Sequence, residues 1–158
     1  MIFVTVGTHY QGFDRLIKEM DEIADKTDEE VIAQIGSTKY RPQHMKYFTV
    51  IEEEKLIDFC IDARIIISHA GAGTVLTVLN CRKPLILVPR IKRYNEVIDN
   101  HQLELAKALE NHENVIVVYD IENLRDALKK AEKLHYKEIK QEKALVIFLK
   151  EYIGKMKK

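Results

Sequence analysis

The segment Ser68-His69-Ala70-Gly71-Ala72-Gly73-Thr74 stands between an apolar run, Ile65-Ile66-Ile67, and residues Val75, Leu76, Val78 and Leu79 at helical spacing. Two glycines strip side chains from a strand-to-helix turn, and Thr74 adds a hydroxyl near the helix start. Bare N–H groups and the positive helix end together make a site for a phosphate or diphosphate. The same glycines also suit a tight turn for steric reasons alone. Both readings stand on these residues. The segment is no P-loop, because no G-x-x-x-x-G-K-[ST] occurs. Nor is it a full dinucleotide fingerprint, because Leu76 takes the place of the third glycine.

A second group follows the run Pro84-Leu85-Ile86-Leu87-Val88-Pro89. It comprises Arg90, Lys92, Arg93, Glu96 and then Asp99-Asn100-His101-Gln102. Asp99 or Asn100 can cap the amphipathic helix that comes next. An amide, carboxylate and imidazole at a helix start also suit sugar hydroxyls, which need several directed donors and acceptors. One helix end can do both. Gly7-Thr8-His9 follows the first apolar run, and His9 there is either a ligand contact or an ordinary loop residue.

Such loops need rigid elements behind them. Short, nearly continuous apolar runs at Ile2–Val6, Val31–Ile35, Phe48–Ile51, Ile65–Ser68, Leu85–Val88 and Val115–Val118 read as parallel strands covered on both faces. Between them lie helical patterns: Phe13, Leu16, Ile17, Met20; Leu56, Ile57, Phe59, Cys60; Thr74–Asn80; Leu103, Leu105, Ala106, Leu109; and Leu124, Ala127, Leu128, Ala131. A last helix is expected at about 136–153, and its lysines suit either a solvated face or anionic lipid. The alternation predicts an α/β fold, a single Rossmann-like doubly wound parallel sheet, in one domain over 1–158. Ligands bind such sheets beyond the carboxyl ends of the strands. Both glycine loops open there.

Composition narrows the function. The 158 residues carry 25 basic and 25 acidic side chains, so no field favours nucleic acid. With 46% hydrophobic and 32% charged residues the chain reads as soluble and globular. Cys60 and Cys81 lack metal spacing and suit a reducing cytosol, so neither a metal nor a disulfide is expected. Met1 to Gly7 reads as a strand rather than a signal peptide. No apolar stretch approaches the ~20 residues of a membrane span, so membrane work falls to the surface or a partner.

Taken together, His69-Ala70-Gly71-Ala72-Gly73-Thr74, Lys83-Pro84-Leu85 and Asn100-His101-Gln102-Leu103-Glu104-Leu105-Ala106 resemble the carboxyl-terminal domain of glycosyltransferase family 28. Ile2-Phe3-Val4-Thr5-Val6-Gly7-Thr8 and Phe13-Asp14-Arg15-Leu16 fit as well. Pro89-Arg90 and Tyr94-Asn95-Glu96 are similar to stand-alone exopolysaccharide subunits of that type. The resemblance covers roughly Met1 to Leu109 and implies the sugar-nucleotide half of a GT-B glycosyltransferase. It implies that Gly7, Thr8, His69 and Gly71-Ala72-Gly73-Thr74 surround the diphosphate of a UDP-sugar, with Arg90 beside it. Asn100, His101 and Gln102 would meet the sugar, with Glu96 and Asp99 nearby, and uracil would lie near Phe48 to Ile51. Related chains hold the ribose with a glutamate where this one has Thr77. No cofactor is implied, since the UDP-sugar is itself a substrate. The implied activity is hexosyl transfer to a lipid-linked acceptor in exopolysaccharide or glycan-precursor synthesis. A membrane-anchored partner subunit would supply the acceptor lobe and the general base, recruiting this chain to the cytoplasmic face. Alternatives are an inactive nucleotide-sugar-binding subunit and an epimerase-like protein.

Overall fold

A strand that is apolar at every position must be covered on both faces, and side chains at successive positions go to opposite layers. The computed structural model describes residues 1–134 and 142–156 and shows this division. The strands are β1 (Ile2–Thr5), β2 (Val31–Gln34), β3 (Lys46–Phe48), β4 (Ile65–His69), β5 (Leu85–Val88) and β6 (Val115–Val117). The helices are α1 (Asp14–Ala24), α2 (Glu53–Asp62), α3 (Ala72–Asn80), α4 (His101–Leu109), α5 (Leu124–Ala131) and α6 (Glu142–Met156). Two 3-10 turns occupy Lys92–Tyr94 and Ile121–Asn123. All strand pairs are parallel, in the order β3-β2-β1-β4-β5-β6.

Ile2, Val4, Ile65, Ile67, Ile86 and Val88 face one layer, where Leu16, Ile17 and Met20 of α1 meet Leu124 and Leu128 of α5. Phe3, Ile66, Leu85 and Leu87 face the other, against Cys60 of α2, Val75 and Val78 of α3, Leu105 and Leu109 of α4, and Leu149 of α6. Leu16, Ile17 and Met20 are fully buried. Each such side chain stabilises the fold by about 1.5–3 kcal/mol relative to exposure. The order reverses between β1 and β4, so the crevice for a ligand opens above that pair, with Gly7 on one side and His69 on the other.

Four strands, β1, β2, β4 and β6, end within one residue of the expected boundary, and three elements depart further. The third strand is Lys46–Phe48 rather than Phe48–Ile51. It is an edge strand whose register is dictated by β2, with Ile32 opposite Lys46 and Gln34 opposite Phe48. Beyond it Val50 stays exposed. The third helix begins at Ala72, so Gly73 lies in its first turn instead of in the loop. The last helix is described over Glu142–Met156, while residues 136–141 of the expected span lie outside the described residues.

Candidate functional site

The first hydrogen bond of α3 runs from the Val75 N–H to the Gly71 carbonyl, at 2.9 Å. The amides of Ala72, Gly73 and Thr74 therefore precede the helical ladder. Among the described residues no side chain caps this end. It opens on a cleft of about 550 Å³ bounded by Gly7, Thr8 and His9 on one side and Gly71 to Thr74 with Thr77 on the other. An uncapped helix start in such a cleft is a receptor for an anion.

The glycines of the two loops serve different ends. Gly7 has φ of +70°, and a β-carbon there would stand 2.6 Å from Cε1 of His69. A β-carbon on Gly71 would stand 2.3 Å from Nε2 of the same ring. The His69 imidazole thus fills the space that both side chains would need. At Gly73 a β-carbon would meet no described atom within 4 Å. Gly73 alone leaves bare backbone facing open space.

Polar groups beneath the loops hold them in place. Gln34 accepts hydrogen bonds from the Thr5 hydroxyl at 2.6 Å and the Gly7 N–H at 3.2 Å. Its amide nitrogen donates back to the Gly7 carbonyl at 3.1 Å. Burial, reinforced by the charge of Arg90, pushes His69 down to about 3. The ring is neutral at physiological pH, so it shapes the cleft without adding charge.

A second cavity of about 170 Å³ adjoins the first and shares His9, Gly71 and Ala72 with it. Asp99, His101, Gln102 and Tyr152 line its far side. Asp99 accepts the His101 N–H at 3.0 Å, so the helix-capping duty falls on Asp99. Asn100 occupies the cap position of α4, but its side chain makes no capping bond. Gln102 accepts the Arg90 N–H at 3.0 Å, which fixes its amide in the lining of this cavity. Tyr152 of α6 donates to the His101 carbonyl at 2.8 Å and ties the last helix to α4. A ligand with an anion at the α3 start would therefore extend into a cavity on either side.

Two expected contacts are corrected. Arg90 has no exposed surface. Its guanidinium donates to the carbonyls of Val6, Gln11, Gly12 and Glu96 at 2.7–3.1 Å and lies 4.8 Å over the Phe13 ring. Burial pushes it down to about 10, against the opposing pull of Glu96, so it remains charged at neutral pH. Nη1 and Nη2 are spent on carbonyls of the loop after β1 and of Glu96, whereas the buried Nε has no partner among the described residues. Arg90 lines neither cavity and positions that loop from beneath. Glu96 is likewise committed. It takes Arg15 at 2.9 and 3.0 Å and the Ile91 N–H at 2.9 Å, on the far side of the loop from the second cavity. Spacing placed both residues near the loops, but could not show that their charged ends turn inward.

Thr77 does line the cleft, with its hydroxyl donating to the Gly73 carbonyl at 3.2 Å. Ile51 lines it too, from the segment assigned to the base. Glu53, in the first turn of α2, brings the cleft's one carboxylate among the described residues. Nothing in its local sequence marked it, because only the packing of α2 beside α3 carries it there.

Known proteins share the family and the fold of this chain. Over 119 residues the chain is 37% identical to the Homo sapiens protein named UDP-N-acetylglucosamine transferase subunit ALG13, covering 68% of this chain and 10% of that one. The chain thus spans a small part of the length of that relative. Among solved structures it is similar to the solution structure of ALG13, with a TM-score of 0.61 and 18% identity, covering 94% of each chain. It is also similar to the glycotransferase of kitacinnamycin, with a TM-score of 0.61 and 14% identity, covering 96% of this chain and 38% of that one. At these identities the two structures speak for the fold, a Rossmann-like lobe of the GT-B type. The model of the glycosyltransferase family 28 C-terminal domain matches residues 1–152, and the chain belongs to that family.

Proposed function

We propose that this chain is the donor-binding subunit of a glycosyltransferase that moves a hexosyl group from a UDP-sugar to a lipid-linked saccharide. The observation that carries the reading is the uncapped start of α3, with Gly73 bare, at the junction of the two cavities. The diphosphate would accept hydrogen bonds from the amides of Ala72, Gly73 and Thr74. The nucleoside would extend past Thr77 toward Ile51, and the sugar toward His101 and Gln102, with Asp99 beside them and Asn100 outside the cavity lining. As the glycosidic bond breaks, negative charge grows on the departing diphosphate, where fixed amides and the helix dipole stabilise it. His69 supports the turn and, being neutral near neutral pH, brings no positive charge to the diphosphate.

The name of the human relative, a UDP-N-acetylglucosamine transferase subunit, supports both the donor class and the need for a further chain. Donor and acceptor must be held together with water excluded, which one lobe cannot do. The acceptor lobe and general base then come from a partner anchored in the membrane, which recruits this chain to the cytoplasmic face. Among the described residues no helix is long and apolar enough to cross a membrane. The exposed Ile147 and Phe148 of α6 suit contact with that partner, whereas Leu149 is committed to the core.

The test is calorimetric titration of the chain with UDP, followed by turnover assays with UDP-sugars and a lipid-linked acceptor. UDP binding by the chain, with turnover only when the partner is added, is the expected result. Steady turnover by the chain alone refutes the two-subunit reading, and absence of UDP binding refutes the donor site.

A further inference from the structure

We infer that this chain also holds part of the acceptor: a subsite for a hexopyranose ring, on the other side of the loop after β1. The inference rests on the transferase reading above, which supplies a reason for a second saccharide to be present. The subsite is a cavity of about 440 Å³, within the ~300–1,000 Å³ range of small-molecule sites. Tyr10, Gln11, Arg15, Lys39, Tyr94 and Asn95 line it. None of the six lines the nucleotide cleft or the cavity assigned to the donor sugar. This cavity and the one assigned to the donor sugar adjoin along the chain. His9 and Val97 line the donor side, and their chain neighbours Tyr10 and Glu96 line this side.

The chemistry of the lining fits a sugar. A pyranose offers an apolar face of C–H groups and a rim of hydroxyls, so it needs an aromatic surface beside planar polar groups. Tyr10 stacks on His9 with ring centroids 4.6 Å apart, yet 68% of its surface is exposed. Tyr94 is held by the guanidinium groups of Arg15 and Arg93, 5.0 and 4.8 Å from its centroid. Gln11 donates to the Asn95 carbonyl at 3.0 Å, while its own Oε1 is shielded from solvent and has no hydrogen-bond partner. That Oε1 is sealed within the wall, so the Gln11 amide reaches a sugar hydroxyl only by rotating its side chain. Asn95 adopts a left-handed backbone, φ 58°, an uncommon conformation that a non-glycine residue adopts at some energetic cost.

The walls are set before any ligand arrives. Arg90 fixes the carbonyls of Gln11, Gly12 and Glu96, and the Arg15–Glu96 pair closes the back. The same facts favour a sugar ring over the diphosphate of a lipid-linked acceptor. Arg15 is already neutralised by Glu96, and the start of α1 already carries the Asp14 carboxylate.

The experiment uses amide spectra of the full chain. UDP is titrated first, and then methyl glucoside, methyl galactoside, methyl glucuronide and diacetylchitobiose are each added with UDP saturating. At least one saccharide is expected to shift Gln11, Tyr94 and Asn95, whereas UDP shifts Gly71 to Thr74. Tyr10→Ala removes an exposed ring, so the fold is not at risk. It is expected to weaken that saccharide about fivefold, the scale of one aromatic contact near 1 kcal/mol, with UDP affinity unchanged. If UDP binds and no saccharide shifts those signals, the subsite is overturned and the donor reading stands. If a saccharide shifts them but UDP does not bind, the donor reading fails and the assignment to an acceptor falls with it.

Discussion

Replacing Gly73 with alanine should stabilise the protein and weaken its ligand, two effects that steric need alone would not produce together. Gly73 is the second residue of α3, and a β-carbon there meets no described atom within 4 Å. The fold gains from the change, because glycine in a helix is less favourable than alanine by about 0.5–1 kcal/mol. The ligand loses. Each Cα–Cβ bond in a helix tilts toward the N-terminus, so the new methyl would stand over the amides that face the cleft. Losing one hydrogen bond to a charged phosphate forfeits about 1.5–3 kcal/mol, or roughly tenfold to a hundredfold in affinity. Gly71→Ala is the comparison. Its β-carbon would lie 2.3 Å from the buried His69 ring, and such overpacking is destabilising by about 1–3 kcal/mol. Urea unfolding measures the stability of both variants, and calorimetry measures UDP affinity. A Gly73→Ala protein that is more stable and binds UDP as tightly as the parent would refute the reasoning, because bare backbone at that position would then serve nothing.

Three further predictions use the same assays. Arg90→Met should lower stability by about 3–5 kcal/mol, because it leaves the carbonyls of four residues, two buried and two half-buried, without their donor. If it spared stability and abolished only UDP binding, Arg90 would be a ligand contact after all. His69 titrates at 6.5 in the unfolded chain and about 3 in the folded one, so between these values only the unfolded state holds the proton. Stability should therefore fall as pH drops below 6.5, by up to about 1.4 kcal/mol per pH unit from this group. His69→Gln should flatten the urea midpoint between about pH 7 and pH 5, where free carboxylates stay ionised, and an unchanged slope would mean the ring is protonated when folded. Thr77→Glu should tighten UDP by about 1–2 kcal/mol through charge-assisted bonds to the ribose hydroxyls. Equal affinities for UDP and deoxy-UDP in both forms would show that position 77 does not face the ribose.

The sequence by itself determined the elements and the general place of the candidate site. Continuous apolar runs such as Ile65-Ile66-Ile67 can only be covered on both faces, and the spacing of Leu124, Ala127, Leu128 and Ala131 admits only a helix with one buried side. These patterns are local, because burial repeats with the period of the backbone. The turn from His69 to Thr74 was equally legible as a candidate anion site, since glycine and a helix start are features of consecutive residues. Only the tertiary structure separated Gly71, which yields to the His69 ring, from Gly73, which faces open space. It also turned Arg90 and Glu96 inward, brought Glu53 to the cleft and set β3 against β2 two residues early. Each of these outcomes depends on what the rest of the chain places around a side chain or along a strand edge. A carbonyl from residue 6 and guanidinium donors from residue 90 meet across 84 positions, a distance over which no local period carries information.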